Sequence, residues 1–122
     1  MKFKGNSNPN NDEVSIISST MQIQGNILTK GNLRIDGKVK GDIKAEGVMT
    51  IGPHGYVEGN IDATNITIGG KIFGTIICRE KLILEDNSQL KGDLTAKILV
   101  IEEGALFTGR SAMTNNQEAK VE

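Results

Sequence analysis

The side chains best suited to nucleophilic or acid–base chemistry are scarce in this 122-residue chain, which has one cysteine, Cys78, and one histidine, His54. A thiol nucleophile needs a neighbouring base, most often an imidazole. Cys78 instead recurs at a position of small residues, which favours packing in an apolar interior. His54 lies in a Gly-Pro-His-Gly sequence typical of an exposed turn, and one histidine cannot build a three-histidine zinc site. We therefore predict no enzyme activity, no metal site and no cofactor.

A second candidate chemistry lies at the extreme N-terminus, where Met1, Lys2, Phe3 and Lys4 place an aromatic side chain between two cations. Met1 and Phe3 could enter a membrane interface while each lysine meets anionic headgroups, contributing about 1 kcal/mol. One copy would bind feebly, but an assembly displaying many copies would bind through avidity. The alternative is an ordinary unstructured start, and the residues leave both interpretations open.

Composition and charge narrow the possible functions further. The net charge is −1 at pH 7, which lacks the basic balance of a nucleic-acid-binding domain. A single cysteine cannot form an internal disulfide. No apolar run approaches the ~20 residues of a transmembrane helix, and no signal-peptide core is visible. The sequence therefore predicts one cytoplasmic domain that does not bind nucleic acid.

The elements that position these residues follow from a pattern that recurs every 16 to 18 residues. Its first two apolar columns are Leu33, Met49, Ile66, Leu82 and Leu99, and then Ile35, Ile51, Ile68, Leu84 and Ile101. Each unit continues with an apolar-x-Gly-x-apolar motif, whose glycine marks a bend where a side chain would collide. Period-2 alternation within a unit predicts short strands, and a short fixed period predicts a solenoid. The fold class is therefore all-β, a single three-sided parallel β-helix of about six rungs.

The length variation between units indicates where the corners lie. Four residues separate Ile35 from Val39, whereas six separate Ile51 from Val57. Insertions at this one corner keep the inward columns in register, which a slip inside a strand would not. We assign residues 14–111 to the β-helix. Residues 1–13 and 112–122 are polar and unpatterned, and we predict that they are disordered tails.

Both ends of such a rod expose unpaired backbone groups and a slice of apolar core. Solenoids that remain monomeric cover their ends with polar caps, and the sequence shows no helix-forming cap. Apolar residues instead occupy both terminal rungs: Ile16, Ile17, Met21 and Ile23 at the N-terminal end, and Leu99, Ile101, Leu106 and Phe107 at the C-terminal end. These residues predict that the ends stack on the ends of other copies and form a homopolymer.

The chain resembles the bactofilins, a family of bacterial cytoskeletal proteins. The segments that carry the resemblance are LRIDG at 33–37, VEGNI at 57–61 and IEEGALFTG at 101–109, within residues 16–111. The resemblance implies a right-handed β-helix that polymerises without nucleotide into non-polar filaments. It also implies binding of an N-terminal peptide to the inner face of the cytoplasmic membrane, and a scaffold role for envelope proteins such as peptidoglycan-modifying enzymes. Phe107 matches an aromatic position in the family's C-terminal polymer contact; a plug over its own last rung is the alternative.

Other functions fit the residues less well. Hexapeptide acyltransferases need a strict six-residue repeat and histidines at trimer clefts, and calcium-binding solenoids need Gly-Gly-x-Gly-x-Asp arrays. An ice-binding solenoid would need a continuous threonine column. A non-polymerising adaptor remains an alternative. Four apolar residues fall at outward positions and predict either a lateral binding strip or a surface covered by the C-terminal tail: Phe73, Ile77, Ile83 and Val100.

Overall fold

The computed structural model describes residues 14–113 and 120–121, which contain sixteen β-strands and no helix. The strands are β1 Val14–Ile17, β2 Gln22–Gln24, β3 Ile27–Thr29, β4 Asn32–Ile35, β5 Lys38–Lys40, β6 Ile43–Ala45, β7 Val48–Ile51, β8 Tyr56–Glu58, β9 Ile61–Ala63, β10 Asn65–Ile68, β11 Lys71–Cys78, β12 Lys81–Leu84, β13 Gln89–Ala96, β14 Ile98–Ile101, β15 Leu106–Met113 and β16 Lys120–Val121. Within these ranges no helix is long and apolar enough to cross a membrane.

Parallel pairing arranges the strands in three columns, which we call faces 1, 2 and 3. Face 1 has the order β1-β4-β7-β10-β12-β14-β16. Face 2 contains β2, β5, β8 and the first halves of β11, β13 and β15, whereas face 3 contains β3, β6, β9 and the second halves. Each turn of chain thus adds one rung to all three faces. The predicted all-β parallel solenoid of about six turns is confirmed.

Strand register aligns the inward side chains in columns along the rod. Ile35 on β4 pairs with Ile17 on β1 and with Ile51 on β7, and the column continues through Ile68, Leu84 and Ile101. Its first five members are 6% exposed or less. Each fully buried side chain of this size stabilises the fold by about 1.5–3 kcal/mol. The columns predicted from the sequence are therefore those that build the core.

A column of glycines marks the boundary between face 2 and face 3. Its members have φ between +131° and +146°: Gly25, Gly41, Gly59, Gly74, Gly92 and Gly109. A Cβ added to any of the last five would lie 1.7–2.0 Å from the carbonyl oxygen of the glycine one rung earlier. Because both the backbone conformation and the close rung contact exclude a side chain, only glycine fits there.

The C-terminal boundary of the strands differs from the sequence-based one. Strand β15 continues to Met113, because Ala112 and Met113 pair with Thr95 and Ala96 of the preceding rung. Strand β16 then pairs with β14. Residues 112–113 and 120–121 therefore form strands within the segment for which the sequence predicted a disordered tail. The N-terminal tail prediction, residues 1–13, lies outside the described residues.

Candidate polymer interface at the rod ends

Phe107 is the last member of an inward column on face 2. It pairs with Leu90 of the preceding rung, and the column runs back through Ile72, Val57, Val39 and Ile23. Leu90 is 1% exposed, whereas Phe107 packs against the core but stays partly exposed. The two differ because Leu90 has a rung on each side, and Phe107 has a described rung on one side only. The Phe107 ring therefore lies at an accessible edge of the core.

The other three predicted C-terminal contact residues have different surroundings. Leu99 faces inward on β14 and is only 2% exposed, so it already belongs to the core. Ile101 faces inward and is partly exposed. Leu106 is 59% exposed, but it pairs with Gln89 in an outward column on the lateral surface. The structure therefore brings Phe107 and Ile101 to the end of the core and places Leu106 on the side of the rod.

The N-terminal end shows the same division. Ile23 packs against the core and is partly exposed, and Ile17 is buried at 6% exposure. Ile16 is 62% exposed and pairs with Arg34 in an outward column of face 1. Ile27 on β3 also packs against the core while partly exposed, and the analysis of contact residues overlooked it. Its place in the apolar-x-Gly-x-apolar motif was the signal that could have identified it.

Met21 occupies a corner where later rungs carry small residues. Its carbonyl accepts a hydrogen bond from the Lys38 amide at 3.0 Å, so Met21 aligns with Gly37 of the next rung. A Cβ at Gly37 would lie 2.5 Å from the Met21 carbonyl oxygen. Met21 can carry a long side chain, 44% exposed, because no described rung precedes it. The corner next to the first rung therefore adds apolar surface to this end.

The backbone edges of the terminal rungs complete the candidate interface. The Gly25 and Ile27 amides of the first rung donate to the Lys40 and Asp42 carbonyls of the second rung, both at 2.9 Å. Within residues 14–113 and 120–121, no strand pairs with the opposite edges of β1, β2 and β3, or with the outer edge of β15. Unpaired edges of this kind readily accept another strand.

The candidate chemical residues lie apart from the ends. Cys78 is 1% exposed, and its Sγ donates to the Thr64 carbonyl at 3.4 Å. Burial raises the pKa of the Cys78 thiol, which opposes formation of a nucleophilic thiolate. His54 is exposed at the corner between β7 and β8. Met1, Lys2, Phe3 and Lys4 lie outside the described residues.

An aromatic and basic cluster occupies the outward surface of face 2. The rings of Tyr56 and Phe73 are 5.4 Å apart between centroids. The Lys38 and Lys91 ammonium groups lie 5.5 and 5.8 Å from the Tyr56 and Phe73 ring centroids, respectively. The Tyr56 hydroxyl donates to Glu58 Oε2 at 3.0 Å, and this bond raises the pKa of Tyr56. Phe73, an outward residue in the sequence pattern, is thus already packed within its own chain.

The remaining outward apolar residues are exposed to different degrees. Ile77 on face 3 is 48% exposed, while Ile83 and Val100 on face 1 are partly buried. Strand β16 extends face 1 by one strand beyond Val100. The predicted apolar strip is therefore distributed over more than one face, and its binding role stays a prediction.

These features define a short parallel β-solenoid whose terminal rungs carry partly exposed apolar side chains. A family model described as "Bactofilin: Polymer-forming cytoskeletal" matches residues 15–112. The chain belongs to the bactofilin family.

Known bactofilins resemble the chain in sequence and in structure. Bactofilin BacO of Myxococcus xanthus is 32% identical over 99 residues, which are 81% of this chain and 79% of BacO. The solid-state NMR structure of the cytoskeletal bactofilin BacA is 36% identical, with a TM-score of 0.76 over 84% of this chain and 98% of that chain. The cryo-EM reconstruction of Thermus thermophilus bactofilin double helical filaments is 32% identical, with a TM-score of 0.78 over 87% of this chain and 99% of that chain.

Proposed function

We propose that this chain is a filament subunit that assembles end to end through its terminal rungs, without nucleotide. Its family is cytoskeletal and polymer-forming, and a similar Thermus protein forms double helical filaments. The observation that carries the proposal is the partial exposure of Phe107 at the end of an otherwise buried column. A rung stacked beyond Phe107 would bury it as the sixth rung buries Leu90.

A stacked contact would also satisfy backbone groups. The outer edge of β15 offers eight residues for parallel or antiparallel pairing with a second copy, at the usual strand spacing of about 4.8 Å. Burial of one large apolar side chain is worth about 1.5–3 kcal/mol. Phe107, Ile101 and their counterparts Ile23 and Ile27 together therefore supply an apolar centre for the contact.

We extend the proposal to the cellular role that the family resemblance implies. The filaments are non-polar and lie at the inner face of the cytoplasmic membrane, held by many copies of Met1, Lys2, Phe3 and Lys4. They position cell-envelope proteins, including peptidoglycan-modifying enzymes. Avidity supports the membrane part, because a filament multiplies a weak peptide affinity.

Electron microscopy of the nucleotide-free protein with two adjacent substitutions tests the end contact. Phe107→Arg places a charge at the core edge, where burial without a partner is costly, and we expect small particles in place of filaments. Leu106→Arg adds the same charge on the lateral surface, and we expect filaments to persist. Circular dichroism should show unchanged β-structure in both proteins.

Other outcomes redirect the proposal. A wild-type protein that stays monomeric at high concentration would contradict the filament and favour the non-polymerising adaptor. Filaments that survive Phe107→Arg would move the contact elsewhere. For the membrane part, we expect co-sedimentation of filaments with phosphatidylglycerol vesicles, lost when Lys2 and Lys4 are both replaced by glutamate. Equal binding by that variant would contradict the N-terminal anchor.

A further inference from the structure

Strand β16 occupies part of the edge that an incoming copy would need. It pairs in parallel with β14, with Lys120 opposite Val100 and Val121 opposite Ile101. The outer neighbour of the last face-1 strand is thus a segment of the same chain. On the adjoining β15, no described strand occupies the outer edge. The C-terminal end of the rod is therefore partly covered by its own chain.

The position of β16 follows the repeat. Ile17, Ile35, Ile51, Ile68, Leu84 and Ile101 succeed one another at steps of 18, 16, 17, 16 and 17 residues, and Val121 follows after 20. The sequence Lys120-Val121-Glu122 also has the order of Val100-Ile101-Glu102, a β-branched aliphatic residue followed by a glutamate. A β-branched residue suits a strand position. The C-terminal segment thus begins a seventh rung.

The backbone of β14 has donors directed at this edge. The Ile98 and Glu102 amides donate to the Glu80 and Leu84 carbonyls on the other side, at 3.0 and 2.9 Å. Because successive amides of a strand point to opposite sides, the Leu99 and Ile101 amides point away from β12, toward β16. A second copy stacked on this rung would use the same amides.

We propose that the outer edge of β14 is a docking site for this chain's own C-terminal segment, and that docking of Lys120–Val121 competes with end-to-end assembly. The inference rests on the proposed function for the competition, but not for the docking. Six residues, 114–119, connect β15 to β16, and so short a tether gives an effective concentration of about millimolar. Two paired residues make a weak contact, so the segment opens readily and regulates assembly without abolishing it.

The critical concentration for assembly, measured by pelleting, tests the competition. If the segment is docked about nine-tenths of the time, its removal should lower the critical concentration about tenfold, because only undocked subunits can add. A chain that ends at Ala119 loses one lysine and one glutamate, so its net charge is unchanged. Val121→Asp should act like the truncation, since it places a charge in an apolar column. Lys120→Gln changes the net charge equally at an outward register position and should have no effect.

Amide exchange tests the docking independently of assembly. In the Phe107→Arg protein, or in the wild type if it does not polymerise, the Ile101 amide should exchange faster after truncation at Ala119. Unchanged exchange would overturn the docking. An equal or higher critical concentration after truncation would overturn the competition. If the wild type does not polymerise, the proposed function fails, the competition fails with it, and the exchange measurement alone decides the docking.

Discussion

Ile23 and Phe107 are the first and last members of one inward column, so each end of the rod presents a partly exposed apolar side chain from the same column. The four residues between them, Val39, Val57, Ile72 and Leu90, are at most 1% exposed. The exposure of the two terminal members therefore comes from their position at an end and not from their residue type. Their separation along the rod allows each end to be altered alone.

Substitution of these two residues should distinguish non-polar from polar filaments. In a non-polar filament, Phe107→Arg removes the contact between C-terminal ends and leaves the contact between N-terminal ends, so we expect two-subunit particles. Adding Ile23→Arg should then release single subunits. Sedimentation equilibrium measures both masses. Single subunits from Phe107→Arg alone would instead indicate head-to-tail stacking, in which every contact uses both ends.

Alanine substitutions in the glycine column should separate backbone strain from steric conflict. Gly25 and Gly74 have φ of +131° and +146°, so alanine at either position costs about 1–3 kcal/mol in strain. A Cβ at Gly74 would also lie 2.0 Å from the Gly59 carbonyl oxygen, whereas a Cβ at Gly25 has no atom within 4 Å. We expect Gly74→Ala to lower the free energy of unfolding more than Gly25→Ala. Urea denaturation in the Phe107→Arg background measures this, and equal losses would contradict the rung conflict.

The buried thiol predicts how stability changes at alkaline pH. Burial raises the pKa of Cys78 above its ordinary 9.0, so the folded protein retains this proton to higher pH than the unfolded chain. The contribution is complete below about pH 9 and is lost as pH rises toward the folded-state pKa, with a slope of at most about 1.4 kcal/mol per pH unit.

Cys78→Ala isolates that contribution, because the same column carries alanine in neighbouring rungs, at Ala63 and Ala96. We expect the unfolding free energy of the wild type to fall more steeply above pH 9 than that of the variant. Other titrating groups are common to both proteins and cancel in the difference. Parallel pH profiles would show that ionisation of Cys78 is not linked to folding.

Tyr56 offers a local test of the face-2 cluster. It is the one tyrosine in a chain without tryptophan, so near-ultraviolet absorbance reports its ionisation directly. Its pKa is raised because the hydroxyl donates to Glu58. Glu58→Ala should therefore lower the ionisation midpoint, while Asp62→Ala on face 3 serves as a charge-matched control. A midpoint that both substitutions leave unchanged would contradict the Tyr56–Glu58 hydrogen bond.

The sequence by itself determined which residues face inward. Ile35, Ile51 and Ile68 recur at the period of one rung and alternate with polar residues, and both signals are local, so the core columns could be read without coordinates. The glycine at each bend was equally legible, because it repeats within the same motif. Family membership followed from the same pattern and agrees with the match over residues 15–112.

Only the tertiary structure decided which terminal residues lie at the ends of the core. Leu106 and Phe107 are adjacent apolar residues, yet strand register turns the first outward and the second inward. Ile16 and Ile23 divide in the same way. Strand β16 was also beyond the sequence pattern, because two residues carry no period and their pairing depends on an edge that the preceding rungs create. Exposure at an end depends on whether a neighbouring rung is present, and that property belongs to the assembled rod, not to any segment of the chain.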